Sequence, residues 1–272
     1  MNKFFTSSEE FRKNRKMVLK LAKNDFKTKF AGSYLGVVWA FVQPVVTVLV
    51  YWFVFEVGFR SPGTNEVLKV PFLLYLVAGI VPWFFFQDAL TGGTNSLLEY
   101  SYLVKKVVFK ISVLPIVKII SAMFVHIFFV CFITLLYMMY GYFPDLYYIQ
   151  IIYYTGGLAL LILGLCYMTS AVVVFFRDLS QIISIGLQIG IWMTPIMWIA
   201  EERLVKYPWL WRLLKLNPVY YAVTGYRDVF INKHWFWERP LWTLYFWCFT
   251  AGAFLAGRWL FNRLRVHFAD VL

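Results

Sequence analysis

A chain of 272 residues with 61% hydrophobic and 15% charged side chains lies well outside the roughly 45–50% and 25% of soluble domains. That balance excludes an ordinary soluble enzyme, and the length suits one membrane-embedded unit without an added soluble domain. The net charge of +12 invites a nucleic-acid reading, but the excess sits in an N-terminal arm and in loops between apolar runs. Anionic lipid headgroups account for charge placed there, so membrane lipids are expected as partners and nucleic acid is not.

The arm comes first. Nine basic residues precede Gly36 and no apolar core opens the chain, which argues against a cleavable signal peptide. Ser7 and Glu10 have capping-box spacing, a helix-start signal. Beyond them Phe11, Val18, Leu21, Ala22, Phe26 and Phe30 recur at three-, four- and seven-residue steps. Such a stripe predicts a helix lying at the headgroup boundary. It serves as a membrane anchor, as a lever against a cytoplasmic partner, or as both. Residues 1–35 are therefore assigned to a cytoplasmic amphipathic interface helix.

Six apolar runs follow, over 36–58, 70–86, 113–140, 149–176, 182–199 and 241–260. A helix crosses a hydrocarbon core of about 30 Å with about 20 residues, and closed barrels alternate polar and apolar positions. The predicted fold is thus all-α and integral to the membrane, with six transmembrane helices in 36–272. Basic residues gather in the arm, in the loop after run two (Lys105, Lys106, Lys110), at Arg177 and in the tail at Arg263 and Arg265. The positive-inside rule makes both termini and those loops cytoplasmic.

In the first run Phe41, Val45, Val48, Trp52, Phe55 and Phe59 share a side, and a kink is expected at Gln43-Pro44. The stretch 91–115 is richer than a linker needs to be. Gly92 and Gly93 are expected to break the preceding helix; Leu97, Leu98, Tyr102, Leu103 and Val104 then offer an apolar face before the lysines. Such a segment reads either as a docking knob for a soluble protein or as a solvated loop carrying topology signals. In run five Gln181, Ile185, Gln188, Trp192, Pro195 and Ile199 fall at helical spacing, and Gly186 with Gly190 permits close helix approach. Aromatic faces with occasional amides suit a sugar chain, although packing against lipid and neighbouring helices explains single aromatics equally well.

Between 200 and 240, Pro208, Pro218 and Pro240 separate apolar pieces too short to span a bilayer. They are expected to form a re-entrant pair on the outer side, while Trp209, Trp211, Tyr220, Tyr221, Trp235 and Trp237 also fit an aromatic belt. Ionisable groups within the runs are scarce: Glu56 and Asp88 near ends, Lys118 and His126 in run three. Ion-driven pumps keep paired ionisable groups near the midplane, so secondary transport is disfavoured. Cys131, Cys166 and Cys248 all fall in apolar runs and read as small buried hydrophobes. No metal, protease or hydrolase motif appears, so no catalytic residue and no metal site are assigned.

Several stretches resemble a known family. Ser33-Tyr-Leu-Gly-Val-Val-Trp39, leading through Gln43-Pro44 to Val50-Tyr-Trp-Phe-Val-Phe55, resembles the first span of polysaccharide-exporting ABC-2 type permeases. So do Trp83-Phe-Phe-Phe86, Phe176-Arg-Asp-Leu179, Thr194-Pro-Ile196, Leu216-Asn-Pro218 and Tyr226-Arg227. Each motif is weak alone; their order and spacing from Tyr34 to the C-terminus is specific. Within the family, residues 50–60 and 70–72 look most like the teichoic acid exporter permease, with the O-antigen exporter permease as rival.

The resemblance implies an ATP-driven exporter of a lipid-linked glycan in the bacterial cytoplasmic membrane, and a homodimer of this chain with two copies of a separate ABC ATPase. The chain lacks G-x-x-x-x-G-K-[ST], so ATP and Mg would be bound by that partner. The resemblance places ATPase coupling at Leu97, Leu98, Tyr102, Lys105 and Lys106 in segment 91–112, with Arg177 and Asp178 as a second contact. It lines the export channel with runs one and five, at Trp52, Phe55, Gln181, Gln188 and Trp192. Lys27, Lys29 and Tyr34 become headgroup or gate residues, and 200–240 holds the outer re-entrant helices. Two other readings stay open: a membrane scaffold that recruits a soluble enzyme, and an ABC-2 permease for a non-glycan lipid or drug.

Overall fold

The computed structural model describes residues 8–58, 70–104, 110–200 and 204–271. Ser7, Phe59, Lys105 and Lys106 lie outside the described residues. Nine principal helices are described: α1 Ser8–Thr28, α2 Trp39–Trp52, α3 Phe72–Glu99, α4 Leu114–Met139, α5 Gln150–Val173, α6 Leu179–Met193, α7 Pro208–Lys215, α8 Pro218–Arg227 and α9 Pro240–Leu264. A π-helical turn, Phe53–Gly58, prolongs α2. No strand occurs among the described residues.

Each of the six apolar runs contains a helix. Among the described residues, four helical stretches are long and apolar enough to cross a membrane: Gly36–Phe55, Phe72–Glu99, Ile111–Met139 and Leu146–Val173. The fifth run is shorter than its hydropathy suggests. Pro195 disfavours helical geometry at the residue before it, and Thr194 is extended (φ −86°, ψ 123°), so α6 stops at Met193. The run-five stripe accordingly ends at Trp192, and Pro195 and Ile199 do not continue it. α9 has 25 residues, with Arg258 and Arg263 toward its C-terminus.

α3 is the centre of the bundle. It packs against α4, α5, α8, α2 and α6, and 78% of its most apolar window is buried, against 11% for the α2 stretch. A helix apolar on every side belongs inside; α2 keeps Val46, Leu49 and Val50 exposed, as the turn after it does Phe53. The expected break at Gly92–Gly93 does not occur, since α3 runs on to Glu99. Those glycines give room for neighbours instead: a Cβ on Gly93 would collide with Cys166, and one on Gly92 would touch Lys118. α5 and α9 cross with backbone against backbone. A Cβ on Gly164 would lie 2.6 Å from the Phe254 backbone nitrogen, and Gly257 points at the Gly164 carbonyl, the small-residue packing used where helices meet within a membrane.

α1 leans on α4. Ala22 and Asp25 are buried in that contact, and the Phe26 ring lies 5.8 Å from Phe124. A second apolar cluster of Leu97, Val104, Leu114, Tyr167, Ala171, Val174, Phe261 and Phe268 joins the end of α3 and the turn Ser101–Val104 to α4, α5 and α9 at the same end of the bundle.

Candidate functional site

Two polar features lie along the bundle, one at the end where α1 packs and one near the opposite end. At the arm end the Asp25 carboxylate, nearly closed off from solvent, pairs with the Lys118 ammonium at 2.7 Å and accepts from the Tyr100 hydroxyl at 2.7 Å. Lys118 also pairs with Glu99. Burial, then the bond to Asp25, raises the Tyr100 phenol above its ordinary value, so it stays a donor. Just past the end of α1, Lys29 pairs with Asp88 of α3. These groups border a cavity of about 460 Å³ that also touches Asn24, Asn95 and Ser121.

A neighbouring cavity of about 390 Å³ shares Lys29, Asp88, Thr91 and Ala122 with it and runs between α2, α3 and α4. Its walls mix rings (Trp39, Tyr51, Phe84, Phe85) with polar groups (Gln43, Thr47, Gln87), and His126 lines it from the middle of α4. His126 Nε2 lies 2.8 Å from the Tyr226 hydroxyl, which is 2.6 Å from Thr155 Oγ. His126 is thus a helix-to-helix hydrogen bonder joining α4, α5 and α8.

Toward the other end, the broken terminus of α6 is closed by Arg227. Its guanidinium donates to the carbonyls of Pro195 at 2.6 Å and Ile196 at 2.7 Å and lies 3.7 Å from the Tyr75 ring centroid. Gly79 makes the space, because a Cβ there would lie 2.9 Å from Arg227 Nη2. Asn217 completes the arrangement. Its amide donates to Thr194 Oγ at 2.9 Å while its side-chain oxygen caps α8 by accepting from Val219 N at 3.0 Å. The motifs Thr194-Pro-Ile196, Leu216-Asn-Pro218 and Tyr226-Arg227 are therefore one contact set. Asn217 shares a cavity wall with Trp83 and Gly190; Trp83 sits about eleven residues into α3, roughly 16 Å from its start.

The channel residues expected from sequence separate into two sets. Gln181, Gln188 and Trp192 lie on an open face of α6, with Trp192 54% exposed. Trp52 and Phe55 turn inward and pack on the chain's own core, Phe55 at 5.8 Å from Phe72. Gly190 takes the edge of Trp83, whereas Gly186 faces open space. Of the coupling residues, Leu97 is fully buried, Leu98 is half-buried, and Tyr102 is 58% exposed. Arg177 and Asp178 are exposed in the α5–α6 turn. That turn is tied to α3 where the Ser180 hydroxyl donates to Asn95 at 2.6 Å. Lys27 and Tyr34 are exposed.

The bundle carries polar groups at its open faces, and four helical stretches among the described residues are long and apolar enough to cross a membrane. The ABC-2 type transporter family profile matches residues 18–231. The chain belongs to the ABC-2 type transporter family. It is 26% identical over 262 residues to the O-antigen export system permease protein RfbA of Klebsiella pneumoniae, covering 94% of this chain and 95% of that protein. The RfbA of Myxococcus xanthus is 27% identical over 234 residues, covering 85% and 86%. ABC-2 membership makes this a multi-pass membrane permease that works with an ATPase subunit. The first-span stretches had favoured the teichoic acid type; these relatives carry the name of its rival.

Sequence reasoning missed Asp25 and gave Arg227 no role. Asp25 was open to discovery: it falls three, four and seven residues after Ala22, Leu21 and Val18, placing an acid on the apolar stripe of a basic helix. Arg227 had no such signal, because its partners are backbone carbonyls contributed by another element.

Proposed function

We propose that this chain is the transmembrane subunit of an ATP-driven exporter that moves a lipid-linked polysaccharide of the O-antigen type outward across the cytoplasmic membrane. The observation that carries it is the nearly end-to-end match to O-antigen export permeases, which leaves little of this chain for a different task.

In this reading two copies pack with their α6 faces toward a shared pathway lined by Gln181, Gln188 and Trp192. The exposed amides and indole on that face support it, since such groups suit sugar hydroxyls and C–H surfaces better than lipid tails. Trp52 and Phe55 act from behind the lining. Six helices span the membrane with both termini cytoplasmic, as the basic loops favour. The α7–α8 pair dips in from the outer side, which its polar closure by Asn217 and Arg227 makes tolerable. Two ATPase copies, holding ATP and Mg, dock at Tyr102, Lys105, Lys106, Arg177 and Asp178, with Leu97 and Leu98 anchoring that segment from within. Lys27, Lys29 and Tyr34 stand where a phosphate-bearing lipid headgroup approaches the bundle.

Co-expression with the ATPase encoded beside it tests the reading. The expected result is a two-plus-two complex whose ATP hydrolysis changes on addition of lipid-linked glycan, with export lowered by Trp192→Ala and assembly intact. A chain that purifies alone, with no effect on the ATPase, would overturn it in favour of a scaffold.

A further inference from the structure

Past α8 the chain builds a surface apart from the α6 face. Lys233 is left-handed (φ 58°), uncommon for a residue with a Cβ and sustained only where surroundings over-determine it. Its amide donates to the Asp228 carbonyl at 2.7 Å, and its ammonium pairs with Asp145 at 2.8 Å. Buried Gln150 then brackets the following residues: its amide donates to the His234 carbonyl at 3.0 Å and its oxygen accepts from Phe236 N at 2.8 Å. The Glu238 carboxylate accepts from Trp235 N at 3.0 Å and pairs with the His234 ring at 2.7 Å.

This frame displays a column of rings. Tyr147 lies 4.9 Å from Trp235, and Trp235 lies 4.5 Å from Trp237 with 9° between the planes. Trp235 covers one indole face of Trp237, and Trp237 is still 55% exposed. The Trp235 amide, then His234, holds Glu238 below the usual carboxylate range, so it is an ionised acceptor at neutral pH. A fixed indole, with a His–Glu pair held on the same short segment, suits a pyranose, whose C–H face packs on the ring while its hydroxyls seek polar partners. Because the frame is already ordered, little conformational entropy is lost on contact.

We propose that Trp237, on the segment that His234 and Glu238 brace, is a sugar-stacking platform that takes pyranose units of the glycan at the end of the bundle opposite α1. The proposal rests on the glycan-export reading. A Trp that only marks the membrane boundary needs neither a left-handed lysine nor a His–Glu pair bracing its segment.

The test uses the assembled transporter in lipid nanodiscs and, as probe, delipidated polysaccharide from the strain that carries the gene. Saturation-transfer NMR on the sugar protons should report saturable contact in the wild type, its loss in Trp237→Ala and its weakening in Glu238→Gln, with ATP hydrolysis verifying that each complex is intact. Equal contact in Trp237→Ala, or no contact in a wild-type transporter that exports normally, would overturn the platform and leave the export reading standing. Quenching of Trp237 by brominated lipid would also overturn it, as a boundary residue. Failure of export itself to depend on this chain would instead remove the reading beneath it.

Discussion

Arg227 shows how one side chain sets the shape of two elements. A guanidinium presents donors in a planar fork, and here the fork bridges two successive carbonyls, those of Pro195 and Ile196, left without helical partners once Thr194 turns extended. Its charge is balanced by those carbonyl dipoles and the face of Tyr75. Arg227→Ala is expected to destabilise the chain by about 3 kcal/mol or more, since charge-assisted hydrogen bonds contribute about 1.5–3 kcal/mol each and both are lost together. Arg227→Lys should lose less, because a single ammonium reaches one carbonyl well. Thermal unfolding of the two variants in the same detergent measures the difference; equal melting temperatures for wild type and Arg227→Ala would refute the closure.

Among the elements, α1 differs most from what its amphipathic pattern alone suggests. A basic helix with an apolar stripe reads as a helix lying on lipid, and the stripe does carry that message. Asp25 changes it: buried against Lys118 and Tyr100, it fastens the helix to α4. A double-mutant cycle with Asp25→Asn and Lys118→Met should give a coupling of about 0.5–3 kcal/mol, the range for groups in one network. Trypsin cleavage at Lys20 and Lys23 should accelerate in either single variant as the arm loosens. Additive effects with unchanged cleavage would return α1 to the role of a lipid-surface anchor. α3 offers the complementary case. Its glycines look like helix breakers in a linear string, yet Gly92 and Gly93 face Lys118 and Cys166 inside an unbroken helix.

For the molecule as a whole, α6 is the element left incomplete. Ile182, Ile185, Ile189, Trp192 and Met193 are exposed on it, and at 15 residues it is about 22 Å long, short of the roughly 30 Å of hydrocarbon. A short helix with exposed amides is expected to complete itself against a second copy. Gln188→Cys should cross-link to its counterpart in the assembled transporter, whereas Leu255→Cys, exposed on α9, should not. The reverse pattern on a denaturing gel would place the shared pathway elsewhere.

Hydrophobic run length and charge placement, read from the sequence, determined an all-helical membrane protein with helices over six runs, and the ordered motifs determined its family. These are local or additive properties, legible without knowing what touches what. The same holds for the α6 stripe of Gln181, Gln188 and Trp192, which helical periodicity alone puts on one face. Tertiary structure decided that Trp52 and Phe55 face the core, that Leu97 is an anchor, that α1 is clamped by Asp25, and that three separate motifs meet at Arg227. Each of those depends on a contact between segments far apart in the chain, and in a protein where one residue in five is aromatic periodicity cannot distinguish the face that meets lipid from the face that meets another helix.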